Sequence, residues 1–72
     1  MGSRYAFLRK RRQLVSALRK EFKDYFRFHA EGDYVAGRCV RCHTFFTVPV
    51  RKPGRDYVRG RILHHVQGHE NP

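Results

Sequence analysis

The sequence predicts a small α+β domain in which a long basic helix precedes a β-hairpin and a second, shorter helix. Three observations predict this architecture. Residues 4–29 contain neither Gly nor Pro and repeat apolar side chains every three or four positions, as one face of a helix does. Residues 34–48 contain two short runs of strand-forming residues joined by a tight turn. From about Asp56 onward, apolar and histidine residues again recur at steps of three and four.

Length and charge limit what such a domain does. Its 72 residues leave room for only a small core. At this size a core alone contributes roughly 3–5 kcal/mol of stability, so we expect a further stabilising element, such as a bound metal ion or a disulfide. Sixteen Lys and Arg against six Asp and Glu give a formal net charge of +10, which favours a polyanionic partner, either nucleic acid or an anionic membrane surface. The aromatic content of 14% argues against a disordered basic tail.

The sequence shows neither a signal peptide nor a membrane-spanning segment. The first residues lack the apolar core of a signal peptide, and no apolar run approaches the ~18 residues of a membrane span. We therefore expect an intracellular protein, in the cytoplasm, nucleus or nucleoid. We divide it into a basic amphipathic helical extension (residues 1–30) and a second module (residues 31–72).

The first predicted element is a helix from about Arg4 to Phe28. Its apolar stripe between residues 8 and 26 is expected to pack into the core, and a protein partner or homodimer contact through the same residues is the alternative. Basic side chains decorate the helix, above all Arg9, Lys10, Arg11, Arg12, Arg19 and Lys20.

A turn at residues 31–33 should lead into a hairpin with strands over 34–38 and 44–48. Phe45 and Phe46 point to opposite faces of the second strand, because side chains alternate along a strand. We assign Phe46 to the core and expect Phe45 to pack against the N-terminal helix. In the second helix, Val58 and Ile62 lie on the same face as His65 and His69.

The candidate metal ligands are two cysteines and two histidines. Cys39 and Cys42 offer two thiolates from the hairpin turn, and His65 and His69 are one helical turn apart. Zn²⁺ favours tetrahedral sulfur and nitrogen ligands, and four protein ligands leave no position for a catalytic water. We expect one structural zinc ion and no enzymatic activity. His64 in place of His65 is the main alternative ligand, with His43 and Glu70 also open. Redox chemistry at the cysteines would need a strand–CxxC–helix unit, for which the sequence gives no sign.

At these residues the chain resembles the C2H2-type zinc finger. Phe46 follows the second cysteine after three residues, and Ile62 precedes His65 by three, as the family's core Phe and Leu do. Two features depart from the family pattern. Twenty-two residues separate Cys42 from His65 where the family usually has twelve, and we place the surplus in a longer loop around residues 47–55. Gly37 stands where the family prefers an aromatic residue, and we expect Tyr34 to substitute for it. The resemblance covers about residues 34–70 and implies a ββα finger.

The resemblance also implies DNA binding and a role in transcription regulation. The positions from which the family contacts base edges correspond here to Val58, Gly60, Arg61 and His64, and of these only Arg61 and His64 carry side-chain donors. The remaining basic residues near the finger are expected to contact phosphates, together with the N-terminal run; they are Arg51, Lys52, Arg55 and Arg59. Double-stranded DNA is the partner we expect. Binding of RNA or ribosomes, and a protein-interaction module using the apolar stripe, are the alternatives. We expect neither a membrane nor a small-molecule partner.

Overall fold

The computed structural model describes residues 3–70, which form two helices and one antiparallel sheet. In chain order these elements are α1 (Ser3–Glu21), β1 (Phe26–Glu31), β2 (Tyr34–Cys39), β3 (Phe45–Pro49) and α2 (Gly54–Glu70). The strands lie in the order β1-β2-β3. The protein is therefore a small α+β domain, as the sequence predicted, with a third strand that the prediction lacked.

The predicted extent of the first helix is wrong beyond Glu21. The chain turns at residues 22–25, where the Phe22 carbonyl accepts hydrogen bonds from the amides of Tyr25 and Phe26 at 3.1 Å. Residues 26–31 then pair with β2 over their whole length. The spacing of Phe22 and Phe26 fits a helix, but Phe26 and Phe28 also alternate with polar residues, which is the strand period. Residues 26–31 form a strand because they pair with β2. The division of the chain at residue 30 falls near the end of β1 and stays a prediction.

A two-residue turn joins β1 to β2, because Glu31 pairs with Tyr34. Gly32 has φ of +51°, in the left-handed region that glycine enters without steric cost. Such turns suit the right-handed twist of the strands that they connect. The turn predicted at residues 31–33 is thus confirmed, and it fixes the register of the hairpin.

Gly37 is required by its neighbours from β1. A Cβ atom at this position would lie 2.6 Å from Cε1 of Phe28 and 3.6 Å from Cδ2 of Phe26. The two phenylalanine rings stack with centroids 5.7 Å apart. Tyr34 lies on the opposite face of β2, so the expectation that it replaces the missing aromatic is wrong. An aromatic side chain is supplied there by Phe28 of β1, a strand that lies before residues 34–70, the part of the chain that the resemblance covers.

One hydrophobic core lies between the sheet and the two helices. Val15 and Leu18 of α1 and Phe22 of the following turn are buried in it, as the sequence predicted for the stripe, whereas Leu8 is 38% exposed. Strands and α2 complete the core with Phe26, Phe28, Val35, Cys39, Val48, Ile62 and Val66.

Phe46 and Phe45 lie on different faces of the sheet. Phe46 and Val58 are half-buried against the core, and Ile62 is fully buried. Phe45 is 49% exposed on the opposite face, so its predicted packing against the N-terminal helix is wrong. The reason is that both helices cover the face that carries Phe46.

Polar contacts tie α1 to the sheet and to α2. The Arg19 guanidinium donates two hydrogen bonds, of 2.9 and 3.1 Å, to the Phe28 carbonyl on the free edge of β1. Arg59 of α2 forms a two-point ion pair with Glu21 at the end of α1, with N–O distances of 2.6 and 2.7 Å. These contacts hold both helices on one face of the sheet.

Neither helix in the described part of the chain, residues 3–70, is long and apolar enough to cross a membrane.

Candidate metal centre and basic surfaces

Two cysteines and two histidines meet at one end of the sheet. Cys39 ends β2, Cys42 follows in the turn toward β3, and His65 and His69 lie on α2. Their ligand atoms all lie within 4.8 Å of one another. Nε2 of His65 is 3.2 Å from the Cys42 sulfur and 3.2 Å from Nε2 of His69, which is 3.5 Å from the Cys39 sulfur.

The turn between the cysteines is held by backbone hydrogen bonds. The Cys39 amide donates to the Thr44 carbonyl at 2.9 Å, and the His43 amide donates to the Cys39 carbonyl at 3.0 Å. His43 has φ of +63°, a conformation in which histidine is among the better tolerated non-glycine residues. This geometry brings both sulfur atoms to the side that faces α2. His43 itself is exposed and lies outside the cluster.

Burial of Ile62 and Val66 sets the rotation of α2 and thereby aims the histidines. The His65 ring meets the rings of Phe26 and Phe46 edge-on, with centroids 5.7 and 5.6 Å away. These contacts hold the plane of the His65 imidazole against the core. His64 is exposed, and neither His64 nor Glu70 belongs to the cluster.

Hydrogen bonds prepare one of the sulfur ligands. The hydroxyl and backbone amide of Thr44 lower the pKa of the Cys42 thiol to about 5, and the two side-chain atoms are 2.9 Å apart. A thiolate, not a thiol, is the form that binds metal ions. Cys42 is therefore a thiolate at neutral pH, the form in which it can bind a metal ion.

The donor set can hold one metal ion and is consistent with zinc. Zinc binds sulfur at about 2.3 Å and nitrogen at about 2.0–2.1 Å, so neighbouring ligands of a tetrahedron lie about 3.3–3.8 Å apart. The three contacts of 3.2, 3.2 and 3.5 Å are close to these values. The four residues are the ones that the spacing of the sequence singled out.

The long interval between Cys42 and His65 is mostly regular structure. We expected a loop around residues 47–55, but β3 continues to Pro49 and α2 begins at Gly54. Only residues 50–53 connect them, and Val50 is 6% exposed, packed into the protein. The surplus over the usual spacing therefore lengthens β3 and the N-terminal half of α2.

Four of the predicted nucleic-acid contacts are bonded within the protein. Arg19 and Arg59 make the contacts described above, and Arg11 donates a hydrogen bond to the Gly32 carbonyl. Arg55 is half-buried and lies 3.5 Å from a carboxylate oxygen of Asp56. The other predicted contacts are exposed on the surface: Arg9, Lys10, Arg12, Lys20, Arg51, Lys52, Arg61 and His64.

A basic groove runs between α1 and the segment that leads into α2. Its cationic side chains come from both sides, and the carboxylates that line it among residues 3–70, Glu21 and Asp56, each contact an arginine. The groove thus joins Lys10 of the N-terminal run to basic residues of the predicted finger, which are far apart in the sequence. The cationic lining residues are Lys10, Arg51, Lys52, Arg55 and Arg59.

Arg61 and His64 lie on another side of α2. They line a shallow depression together with Tyr57, Gly60 and the edges of Phe46 and His65. The Arg61 guanidinium carbon is 5.9 Å from the centre of the Tyr57 ring. A Cβ atom on Gly60 would meet nothing within 4 Å, so this glycine leaves open space beside Arg61.

Comparison of the chain with protein-family models, with curated proteins and with solved structures finds no match. The metal cluster and the basic surfaces are therefore interpreted from their own geometry and chemistry.

Proposed function

We propose that this protein is a zinc-stabilised DNA-binding module with a role in transcription regulation. The observation that carries the proposal is the basic groove between α1 and the entry to α2, beside a helix held by the Cys₂His₂ cluster. In this proposal the zinc ion is structural and the groove binds the phosphates of duplex DNA.

The structural role of zinc follows from what the four ligands connect. Cys39 and Cys42 belong to the β2–β3 turn, whereas His65 and His69 belong to the C-terminal half of α2. An ion at this position fixes α2 against the sheet and leaves no ligand position open for a substrate. Binding of zinc to such small modules supplies about 10–16 kcal/mol at neutral pH, most of the free energy that folding needs.

The groove suits phosphates because its charge is one-sided. Lys10 approaches from α1, and Arg51 and Lys52 approach from the segment before α2. The two carboxylates of the groove are already engaged with Arg55 and Arg59, so they offer little to compete with a phosphate. Contacts of this kind give affinity through release of counterions and do not read sequence.

Reading of bases is assigned to the exposed side of α2. Arg61 and His64 carry hydrogen-bond donors there, and pairing of Arg with guanine is the commonest specific contact in the major groove. Gly60 gives a base pair room to approach the helix backbone, since its open side meets no neighbouring atom within 4 Å. Two side chains read little sequence, so we expect modest specificity.

The test is the binding of the zinc-loaded protein to duplex DNA over a range of salt concentrations. Lys52→Gln should weaken binding and reduce the slope of log K against log salt by about 0.9, the value for one phosphate contact. Lys23→Gln is the matched control, because it removes the same charge from the exposed turn that follows α1, outside the groove. An equal effect of both variants, or binding without salt dependence, would contradict the proposed groove.

Two further outcomes separate the alternatives. Tighter binding to duplex RNA than to duplex DNA would favour an RNA- or ribosome-binding role. Binding to neither, combined with a molecular mass that rises with protein concentration, would favour contacts through residues 8–26.

A further inference from the structure

The face of the sheet that points away from both helices carries a row of three side chains across the strands. Arg27 of β1 pairs with Arg38 of β2, which pairs in turn with Phe45 of β3. Neighbouring strands are about 4.8 Å apart, so the row spans roughly 10 Å. All three residues are exposed. We call this row with its neighbours Ala36 and Thr47 the outer sheet face.

The two arginines of the row are not neutralised within the protein. Like charges directly opposite each other destabilise an antiparallel pair, yet Arg27 faces Arg38. Within residues 3–70, neither guanidinium has an ion-pair or hydrogen-bond partner. Glu31, the one carboxylate among the strand residues of this face, is bonded to His29 at 2.8 Å. The outer sheet face therefore presents two cationic side chains that can bind an anion.

The aromatic member of the row is exposed without a role in the core. Phe45 keeps 49% of its surface in solvent, although the adjacent Phe46 packs inward. The adjacent cross-strand pair on this face consists of Ala36, which is buried, and Thr47, which is exposed. A flat exposed ring next to Arg38, with Arg27 roughly 10 Å away in the same row, matches the two parts of a nucleotide, a base and a phosphate.

We propose that the outer sheet face binds single-stranded nucleic acid, with one unpaired base stacked on Phe45 and the adjoining phosphates contacted by Arg27 and Arg38. Aromatic side chains on sheets bind unpaired bases in this way, and they tolerate any base because every base has a π-face. The net charge of +10 disfavours a second copy of the chain as the occupant. This surface lies opposite the groove assigned to duplex DNA, so the inference stands or falls independently of that assignment.

The test compares three fluorescent oligonucleotides of equal length on the zinc-loaded protein: oligo(dT), oligo(rU) and an abasic strand with the same number of phosphates. Phe45→Ala should weaken binding of oligo(dT) or oligo(rU) by about 5-fold or more, the loss of one stacked base. It should leave the abasic strand and duplex DNA unaffected. Tyr5→Ala, which removes a ring that is 75% exposed on α1, is the matched control and should change none of them.

Charge variants test the other half of the site. Arg38→Gln should weaken binding of all three single strands and lower the slope of log K against log salt by about 0.7. Phe45→Leu keeps an apolar side chain of similar size and should behave like Phe45→Ala if stacking is the interaction. Equal losses on base-containing and abasic strands, or no loss from Phe45→Ala in protein with an unchanged amide spectrum, would overturn the proposal. If the expected losses are found, tighter binding of oligo(rU) than of oligo(dT) would identify RNA as the natural single strand, and the reverse order would identify DNA.

Discussion

Replacement of Gly37 by alanine tests how β1 is built into the fold. The added Cβ would lie 2.6 Å from Cε1 and 2.9 Å from Cδ1 of Phe28, closer than atoms of these types approach in proteins. The Phe28 ring is only 3% exposed and is stacked on Phe26 with a centroid distance of 5.7 Å, so it has little room to move away. The backbone of Gly37 is not in the left-handed region, and alanine brings no backbone strain of its own.

The expected magnitude is the difference between two effects. Forcing an extra carbon into a packed core costs about 1–3 kcal/mol. Replacing glycine with alanine returns about 0.4–1 kcal/mol, because the unfolded chain has fewer conformations. The two ranges together allow a net loss of roughly 0–2.6 kcal/mol, and because the Phe28 ring has little room to move we expect Gly37→Ala to lower the free energy of unfolding by about 1–2 kcal/mol. In a domain of this size that corresponds to a fall in Tm of roughly 4–16 °C.

The assay is thermal unfolding followed by circular dichroism at a fixed excess of free zinc, because bound metal shifts the apparent stability. Gly60→Ala is the matched control: the same substitution in the interior of α2 meets no atom within 4 Å. It should stabilise the protein by about 1 kcal/mol through helix propensity. The two variants should thus move Tm in opposite directions.

A Gly37→Ala protein as stable as the wild type would show that Phe28 does not lie over residue 37. A double-mutant cycle with Phe28→Leu adds a second check. Leucine lacks the ring atoms that meet the new Cβ, so Phe28→Leu should cost less in the Gly37→Ala background than in the wild type. Additive effects of the two substitutions would refute the proposed contact.

Three further predictions concern the metal and the groove. Excess EDTA should abolish the amide dispersion of residues 34–70 in NMR spectra while some helical circular dichroism remains, and dispersion retained after verified metal removal would contradict a folding role for zinc. His65→Ala should weaken zinc binding in a competition with a chelator far more than His64→Ala, and the reverse order would mean that α2 is rotated. Glu21→Gln should strengthen binding to duplex DNA and steepen its salt dependence, because it frees Arg59 for a phosphate; a stability loss of about 1 kcal/mol or less is expected from an exposed pair. Unchanged DNA affinity in that variant would place Arg59 outside the interface.

The metal cluster was predictable because its information is local in the sequence. Two residues separate the cysteines, three separate the histidines, and both intervals have a direct geometric meaning in a turn and a helix. The choice of His65 over His64 followed from the apolar stripe that includes Ile62. The structure places His65 in the cluster and buries Ile62, so the phase of α2 was contained in its own residues.

The features that the sequence did not reveal depend on contacts between distant residues. Phe22 and Phe26 satisfy both a helical and a strand period, and only pairing with β2 decides between them. Which face of β3 is covered depends on where both helices pack, so the exposure of Phe45 was not contained in β3 itself. The engagement of Arg59 with Glu21, 38 residues earlier, likewise has no local signal.

The anchors of α2 have a consequence for the order in which the chain assembles. The three strands are joined by short turns and can pair early, whereas the bonds that hold α2 span 30 residues from Cys39 to His69, 38 from Glu21 to Arg59 and 45 from Tyr25 to Glu70. Closing such long loops costs entropy before any contact rewards it, which slows folding. We expect α2 to dock last, in a step whose rate rises with the concentration of free zinc. During folding, before α2 docks, the sheet would then pass through a transient state whose helix-facing surface, including Phe46 and Val48, is still partly uncovered.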